Sequence, residues 1–204
     1  MSYIWKARQT IASILDYRGY NVDSLKTESP YEVDVMISNE TLNFNLAHPT
    51  GGSTVYVHFD MQPTSRKKGD LQSKFLSAYE LKPTDTLMII CHDKPSGPFY
   101  EAIREVNSTK EVFVQVFYLK WLQFDIMKHY RMPDHKILSK EEEEDFVKKY
   151  KLDDIDKNGL IDILDPPIAY IGGRPNQIVK ITRPSETSGV GYAYKRISVY
   201  NPSS

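Results

Sequence analysis

One cysteine, Cys91, is all that 204 residues contain, so no intrachain disulfide and no cysteine-based zinc site can form. It stands in the apolar run Thr86–Cys91, where a buried, inert thiol is expected, and a reducing compartment fits. No uninterrupted apolar stretch approaches the length needed to span a bilayer. The residues from Met1 to Arg8 lack the apolar core of a signal peptide, so a soluble, intracellular chain without a membrane partner is expected. Neither sign of charge dominates. With 26 Lys and Arg against 27 Asp and Glu, the net charge of −1 excludes nucleic-acid binding by global electrostatics alone. Any DNA contact has to be local or shared with partners.

Catalytic signatures are missing too. There is no Gly-x-Ser-x-Gly elbow, no phosphate-binding glycine loop with Gly-Lys-Ser/Thr, and no dinucleotide fingerprint. Gly51-Gly52-Ser53-Thr54 lacks the lysine and reads as a turn. The five histidines show no paired metal spacing, and His58 reads as a strand residue. Neither catalysis nor a cofactor is expected.

What is present is a hydrophobic fraction of 40%, enough for one sizeable core or for a medium domain plus a small one. Helix-like and strand-like patterns alternate, which predicts a mixed α+β or α/β chain. Ile4, Ala7, Ile11, Ile14, Leu15 and Arg18 fall at helical spacing, and Gly19 is placed to end that helix. Three period-two segments then read as half-buried strands: Val33, Val35 and Ile37; Leu42, Phe44 and Leu46; Val55, Val57 and Phe59. A basic stretch, Arg66-Lys67-Lys68-Gly69, leads into a helix expected through Tyr79. The run Thr86–Cys91 reads as a buried strand. Lys94-Pro95-Ser96-Gly97-Pro98 is a loop before a helix over about 99–106, and residues 111–117 form a further strand. Together these predict one α/β domain over 1–128, with a central mixed sheet and flanking helices.

A smaller α/β domain is predicted over 129–204. Arg131–His135 breaks the pattern. Ser139 with Glu142 forms a capping box, and the acids 141–145 complement the helix dipole. Asp165-Pro166 resembles an N-cap with proline at the first helical position, and the helix can run only to Gly172-Gly173. Residues 178–183 and 192–199 read as strands. Charge is uneven here. Residues 131–165 carry 7 basic against 11 acidic side chains, and residues 166–204 carry 5 against 1. That asymmetry suits a surface docked on a partner, or two faces of one small domain.

Several local motifs have two readings. Asp154-Ile-Asp156-Lys-Asn158-Gly159, continuing to Asp162 and Asp165, fits a calcium-loop template. Its twelfth position is the shorter Asp, however, and Pro166-Pro167 interrupts the exiting helix. The alternative is an Asx-rich turn with Asp165 as a cap. A metal-dependent nuclease would need Asp34 on a strand, a second acid and a nearby lysine. Asp60-Met61-Gln62 supplies no lysine two residues after the acid, so a degenerate, inactive scaffold is preferred. Arg66, Lys67 and Lys68 are either a nucleic-acid contact or a solvated run. Lys94, Pro95 and Ser96, at a helix N-terminus, could meet a phosphate or form a proline-stiffened turn.

The C-terminal pattern is more specific. Asp165-Pro166, Tyr170-x-Gly172 and Gln177-x-Val179-Lys180-Ile181-x-Arg183-Pro184-Ser185-Glu186-Thr187-Ser188-Gly189 together resemble the signature of the fifth, shared subunit of eukaryotic-type DNA-dependent RNA polymerases. The archaeal counterpart of that subunit is similar to this part alone. Met132-Pro133-x-His135, Lys140-Glu141-Glu142 and Tyr150-Lys151-Leu152 fit the same family, as do Trp5-Lys6-x-Arg8-x-Thr10-Ile11 and Arg18-Gly19-Tyr20. Lys94-Pro95-Ser96 falls at the family's Thr-Pro-Ser loop. The resemblance implies a non-catalytic subunit with a nuclease-like N-terminal jaw and a C-terminal assembly domain. Its partners would be the largest polymerase subunit, other polymerase subunits and downstream double-stranded DNA. Lys94, Pro95 and Ser96, with Arg66, Lys67 and Lys68, are then the DNA-contact candidates. His135, Tyr170, Lys180, Arg183, Pro184, Ser185, Glu186 and Thr187 are the interface candidates. Departures from the family are Pro167 and Ala169 for valine and arginine, Pro175-Asn176 for an Arg-Gly turn, and Lys94 for threonine. Such divergence suits a large DNA virus as well as a distant eukaryote. A nuclear location is expected, or a cytoplasmic viral factory or virion in the viral case.

Overall fold

A computed structural model describes residues 3–62, 67–109, 111–150, 159–185 and 189–199. The chain divides into two compact α+β units, residues 1–125 and 126–204.

In the first unit, α1 (Tyr3–Tyr17) buries Ala7, Ile11, Ile14 and Leu15 at the spacing the sequence predicts. A short α2 (Asp23–Thr27) precedes α3 (Pro30–Ser38). The latter corrects the first expected strand. Ser29 Oγ accepts the Glu32 amide, and Glu32 Oε2 accepts the Ser29 amide at 2.6 Å. With Pro30 at the first helical position, this closed capping box overrides the β-branched alternation. Helical geometry then turns Val33 inward and leaves Val35 exposed, whereas a strand would have put both on one face.

The four-stranded sheet has the order β1 (Phe44–Ala47), β2 (Thr54–Asp60), β3 (Thr86–Cys91), β4 (Phe113–Tyr118). β1 is antiparallel to β2, and the other two pairings are parallel. Gly51 and Gly52, at φ 77° and 86°, make the turn between β1 and β2, a left-handed path open to glycine at little cost. Between β2 and β3 the chain forms α4 (Lys68–Asp70), a π turn over Leu71–Phe75 and a 3-10 turn over Leu76–Ala78. The expected helix is therefore present but irregular, with Leu71 and Phe75 as its buried pair. α5 (Gly97–Thr109) crosses from β3 to β4. Its buried Asn107 exchanges two hydrogen bonds with the Val114 main chain, fixing the helix end to β4.

Every residue of β3 is buried, because both sheet faces are covered. On one face, Arg8 of α1 lies over the rings of Phe44 and Phe59. On the other, His58 meets Phe75 edge-on and shares a 2.8 Å hydrogen bond with the Tyr79 hydroxyl. Arg8 is also the principal buried ion of this unit. It is bidentate to Glu28, at 2.7 and 2.6 Å, and donates to the Leu42 carbonyl at 2.8 Å.

The second unit has the sheet order β5 (Asp134–Ile137), β7 (Ile178–Ser185), β8 (Gly189–Ser198), β6 (Leu160–Asp162). β5 and β6 are additional to the expected strands. Four and three residues are too few to show a period, and each is held by pairing with a longer neighbour. α6 (Lys140–Tyr150) opens on the expected box, with Ser139 and Glu142 bonded reciprocally at 2.9 and 3.2 Å. Its Phe146 stacks on Tyr194 of β8 at 4.1 Å and packs with Ile178. α7 (Pro166–Ile171) follows Asp165 and ends at Gly172, φ 75°. The next glycine is required sterically, since a Cβ on Gly173 would lie 2.5 Å from Ile197 Cδ1. Asn176, at φ 69°, keeps the following turn without glycine.

Replacing Arg8 by leucine, which strands the Glu28 carboxylate, is expected to cost about 3–5 kcal/mol in urea unfolding of the intact chain. Pairing it with Glu28→Leu should recover much of that loss.

Candidate nucleic-acid and subunit interfaces

Between β3 and α5 the loop residues take different positions. Lys94 is exposed, Pro95 is buried and Ser96 is half-buried. The Ser96 carbonyl accepts the Phe99 and Tyr100 amides at 3.1 and 3.2 Å, so the loop ends in the first helical hydrogen bonds. The first turn of α5 contains no acid, which leaves the positive end of its dipole uncompensated by a side chain of that turn. A basic side chain, a rigid proline and a helix N-terminus thus coincide, an arrangement suited to a phosphate. His92, at the start of the loop, donates from Nδ1 to Asp93 at 3.1 Å. An open groove of about 650 Å³ runs alongside, lined by Tyr3, His92, Tyr118 and Lys120 among others. Its residues are far apart in sequence, so no local motif announces it.

The basic run does not join this loop. Lys68 Nζ is 2.7 Å from Glu105 on α5, and both side chains are exposed. Glu105 lies eight residues beyond Gly97, about 12 Å along the helix axis from the loop. Lys67 is exposed, and its main-chain amide donates to Asp70. Arg66 lies outside the described residues. Lys68 is therefore paired with Glu105 at the surface, and Lys67 is exposed beside it.

The positions considered for nuclease chemistry do not assemble. Asp34 is exposed on α3 and is not on a strand, a correction that follows from the Ser29 cap. Asp60, 3% exposed at the end of β2, is bonded to Lys74 Nζ at 3.1 Å, and Lys74 also reaches Gln62 at 3.4 Å. A lysine does accompany the acid, then, but it arrives from the helical segment fourteen residues on. Among the described residues no group of three or more His, Cys, Asp or Glu side chains could hold a metal ion.

In the second unit, His135 and Tyr170 are buried at 4% and 5% exposure. His135 Nδ1 lies 2.7 Å from the Pro133 carbonyl, which can only accept, so Nδ1 carries a proton. Both residues support the surface from within. Lys180 is half-buried, its ammonium 4.4 Å from the Tyr192 ring centroid. Arg183 and Pro184 are exposed and Ser185 is half-buried. β5 pairs with β7 only from Val179 to Thr182, so these three continue as a two-stranded arm opposite Gly189, Val190 and Gly191. Val190 and Tyr192 are 46% and 57% exposed on the partner strand. Glu186 and Thr187 lie outside the described residues.

Asp154, Asp156 and Asn158 of the calcium template also lie outside them. The two later positions are used locally. Asp162 Oδ1 accepts the Leu164 amide at 2.9 Å, an Asx turn, and the Asp165 carbonyl accepts the Ala169 amide at 2.8 Å to start α7.

These features define a class: a two-unit α+β scaffold with exposed contact surfaces and, among the described residues, no assembled catalytic group. Comparison with known proteins makes the class specific. The family model described as RNA polymerase Rpb5, C-terminal domain, matches residues 124–197. The Dictyostelium discoideum "DNA-directed RNA polymerases I, II, and III subunit rpabc1" is 26% identical over 189 residues, covering 92% of this chain and 93% of that protein. The "DNA-directed RNA polymerase subunit Rpo5" of Thermococcus onnurineus is 36% identical over 75 residues, 37% of this chain and 90% of its own. The Pyrococcus horikoshii Rpo5 is 38% identical over 73 residues, 36% of this chain and 88% of its own. The chain belongs to the Rpb5 family of RNA polymerase subunits.

Burial, more than His135 and Lys195 can offset, raises the Asp165 carboxyl above its ordinary value of 3.8, and Asp162 adds to the rise. A raised folded-state pKa means that protonation favours the fold, so this contribution is present at low pH and is lost as pH rises through the folded value. Asp165→Asn, which keeps the size of a side chain that makes no cap bond and leaves the Asp165 carbonyl to start α7, should therefore be more stable than the parent near neutral pH. The gap should close as pH falls through the raised value toward 3.8. Urea midpoints taken between about pH 7 and about pH 4 test this.

Proposed function

We infer that this chain is built into a DNA-directed RNA polymerase, where one unit fastens to the largest subunit and the other steadies DNA ahead of the enzyme. As a member of the Rpb5 family it is a non-catalytic structural subunit. Residues 129–204 form the assembly domain, and residues 1–128 form a nuclease-like jaw that cuts nothing. The location is the nucleus, or a viral factory or virion if a large DNA virus encodes it.

Two observations support the docking assignment. The arm carrying Arg183, Pro184 and Ser185 extends past the reach of β5, and a two-stranded ribbon is marginal in water without cover. Val190 on that arm and Tyr192 at its base expose apolar surface. His135 and Tyr170 stiffen its base from the core.

For the jaw, the observation that carries the reading is the Lys94-Pro95-Ser96 loop, with an exposed ammonium at the head of a helix whose first turn has no acid. A chain of net charge −1 binds duplex DNA weakly alone. Fastening it to a polymerase raises the effective concentration of the duplex, so a few phosphate contacts then count. Lys67 is available as a second, peripheral contact, whereas Lys68 is engaged by Glu105.

Affinity purification of the tagged chain should bring down the large polymerase subunits; a chain isolated without them would end the docking assignment. In the polymerase so obtained, Lys94→Glu should leave assembly intact and weaken the hold on downstream DNA. The loss of one phosphate contact should lower the salt slope of DNA binding by about 1.

A further inference from the structure

The segment Lys74–Phe75 braces the loop at both ends. At the upstream end, the Asp60 carbonyl accepts the His92 amide at 3.0 Å, one residue past the last paired position of β3. Asp60 therefore grips the first residue of the turn through its main chain. Its carboxylate is buried at the end of the sheet, and Lys74 supplies the compensating charge at 3.1 Å. At the downstream end, Phe75 packs edge-on against Phe99, with centroids 6.1 Å apart and both rings fully buried. The Phe99 amide is one of the two that the Ser96 carbonyl accepts. Lys74 and Phe75 thus hold, through Asp60 and Phe99, the two residues that frame Lys94-Pro95-Ser96.

We propose that Lys74 is a positioning residue for DNA contact. By neutralising Asp60 it keeps the end of β2 in place, and so keeps the His92–Ser96 turn in the one shape that presents Lys94 and the α5 N-terminus to a phosphate together. This rests on the reading of the loop as the jaw's DNA contact. The gain comes from preorganisation, since a loop already shaped for its ligand spends less binding energy on ordering itself. Lys74 need not touch DNA. In open α/β sheets ligands bind beyond the carboxyl ends of the strands; here the carboxylate at that end is held by an ammonium.

The test uses the polymerase carrying this chain, halted during elongation, with the half-life of the DNA-bound complex read as salt is raised. Lys74→Met keeps the apolar stem and removes the charge; it should assemble fully and shorten the half-life by about threefold to tenfold. Lys74→Arg should restore it. In the double variant with Lys94→Glu the two losses should fall well short of multiplying, because both act through one loop. Losses that multiply would overturn the proposal, as would a Lys74→Met half-life equal to the parent's while Lys94→Glu is weakened. If Lys94→Glu itself changes nothing, the DNA-contact reading fails instead. Should Lys74→Met not assemble, Asp60→Asn removes the same ion pair while keeping the carbonyl that holds His92, and the same coupling to Lys94→Glu decides.

Discussion

A guanidinium inside the first helix organises the N-terminal unit. Arg8 is 3% exposed, and a charge taken out of water demands nearly complete compensation. Glu28 gives two charged hydrogen bonds, the Leu42 carbonyl gives a third, and the rings of Phe44 and Phe59 present their faces. Arg8 stands on α1, and its partners come from the segment before α3, the approach to β1, and both β1 and β2. Meeting the needs of one cation therefore sets where three segments of the chain lie against the sheet. With that face closed by α1 and the opposite face by Phe75, Tyr79 and Phe99, β3 is buried throughout.

For function, the consequence is a division between rigid frame and exposed edge. The parallel strands end together at Asp60, Cys91 and Tyr118, the edge where α/β proteins commonly carry their sites. Here the buried acid on that edge is paired with an ammonium, and the surface presents Lys94, His92 and aromatic rings. On the proposed reading of the loop as a DNA contact, such an edge meets a polyanion by position and charge alone. Rigidity on that reading matters more than reactive groups, and hydrogen bonds hold the loop at both ends.

The C-terminal unit reaches a comparable result with fewer residues. An aromatic cluster of buried Phe146, half-buried Tyr194 and exposed Tyr150 docks α6 onto the sheet, and Gly173 lets α7 approach Ile197 closely. The exposed arm then projects from a base that packing has already stiffened. The family model also matches here, over residues 124–197, and the archaeal relatives match over a similar length, 75 and 73 residues.

Residues acting within one turn of each other were legible from the letters alone. The Ser139 and Glu142 cap, the Asp165-Pro166 helix start, the apolar run of β3 and the helical stripe of α1 all depend on spacings of four residues or fewer, and spacing is what a sequence displays. The cap at Ser29 and Glu32 was equally local, but the alternation of Val33, Val35 and Ile37 masked it, and a closed pair of hydrogen bonds outweighs a pattern of side-chain shape. Pairings across longer separations belonged to the tertiary structure. Arg8 finds Glu28 twenty residues on, Lys74 finds Asp60 fourteen back, and Lys68 finds Glu105 thirty-seven on. None of these carries a local signature, because each pair is brought together only by the tertiary fold. The letters thus determined most of the helices and strands, with α3, β5 and β6 among the exceptions, and which family they resemble; the tertiary fold decided which charges are engaged and which remain at the surface.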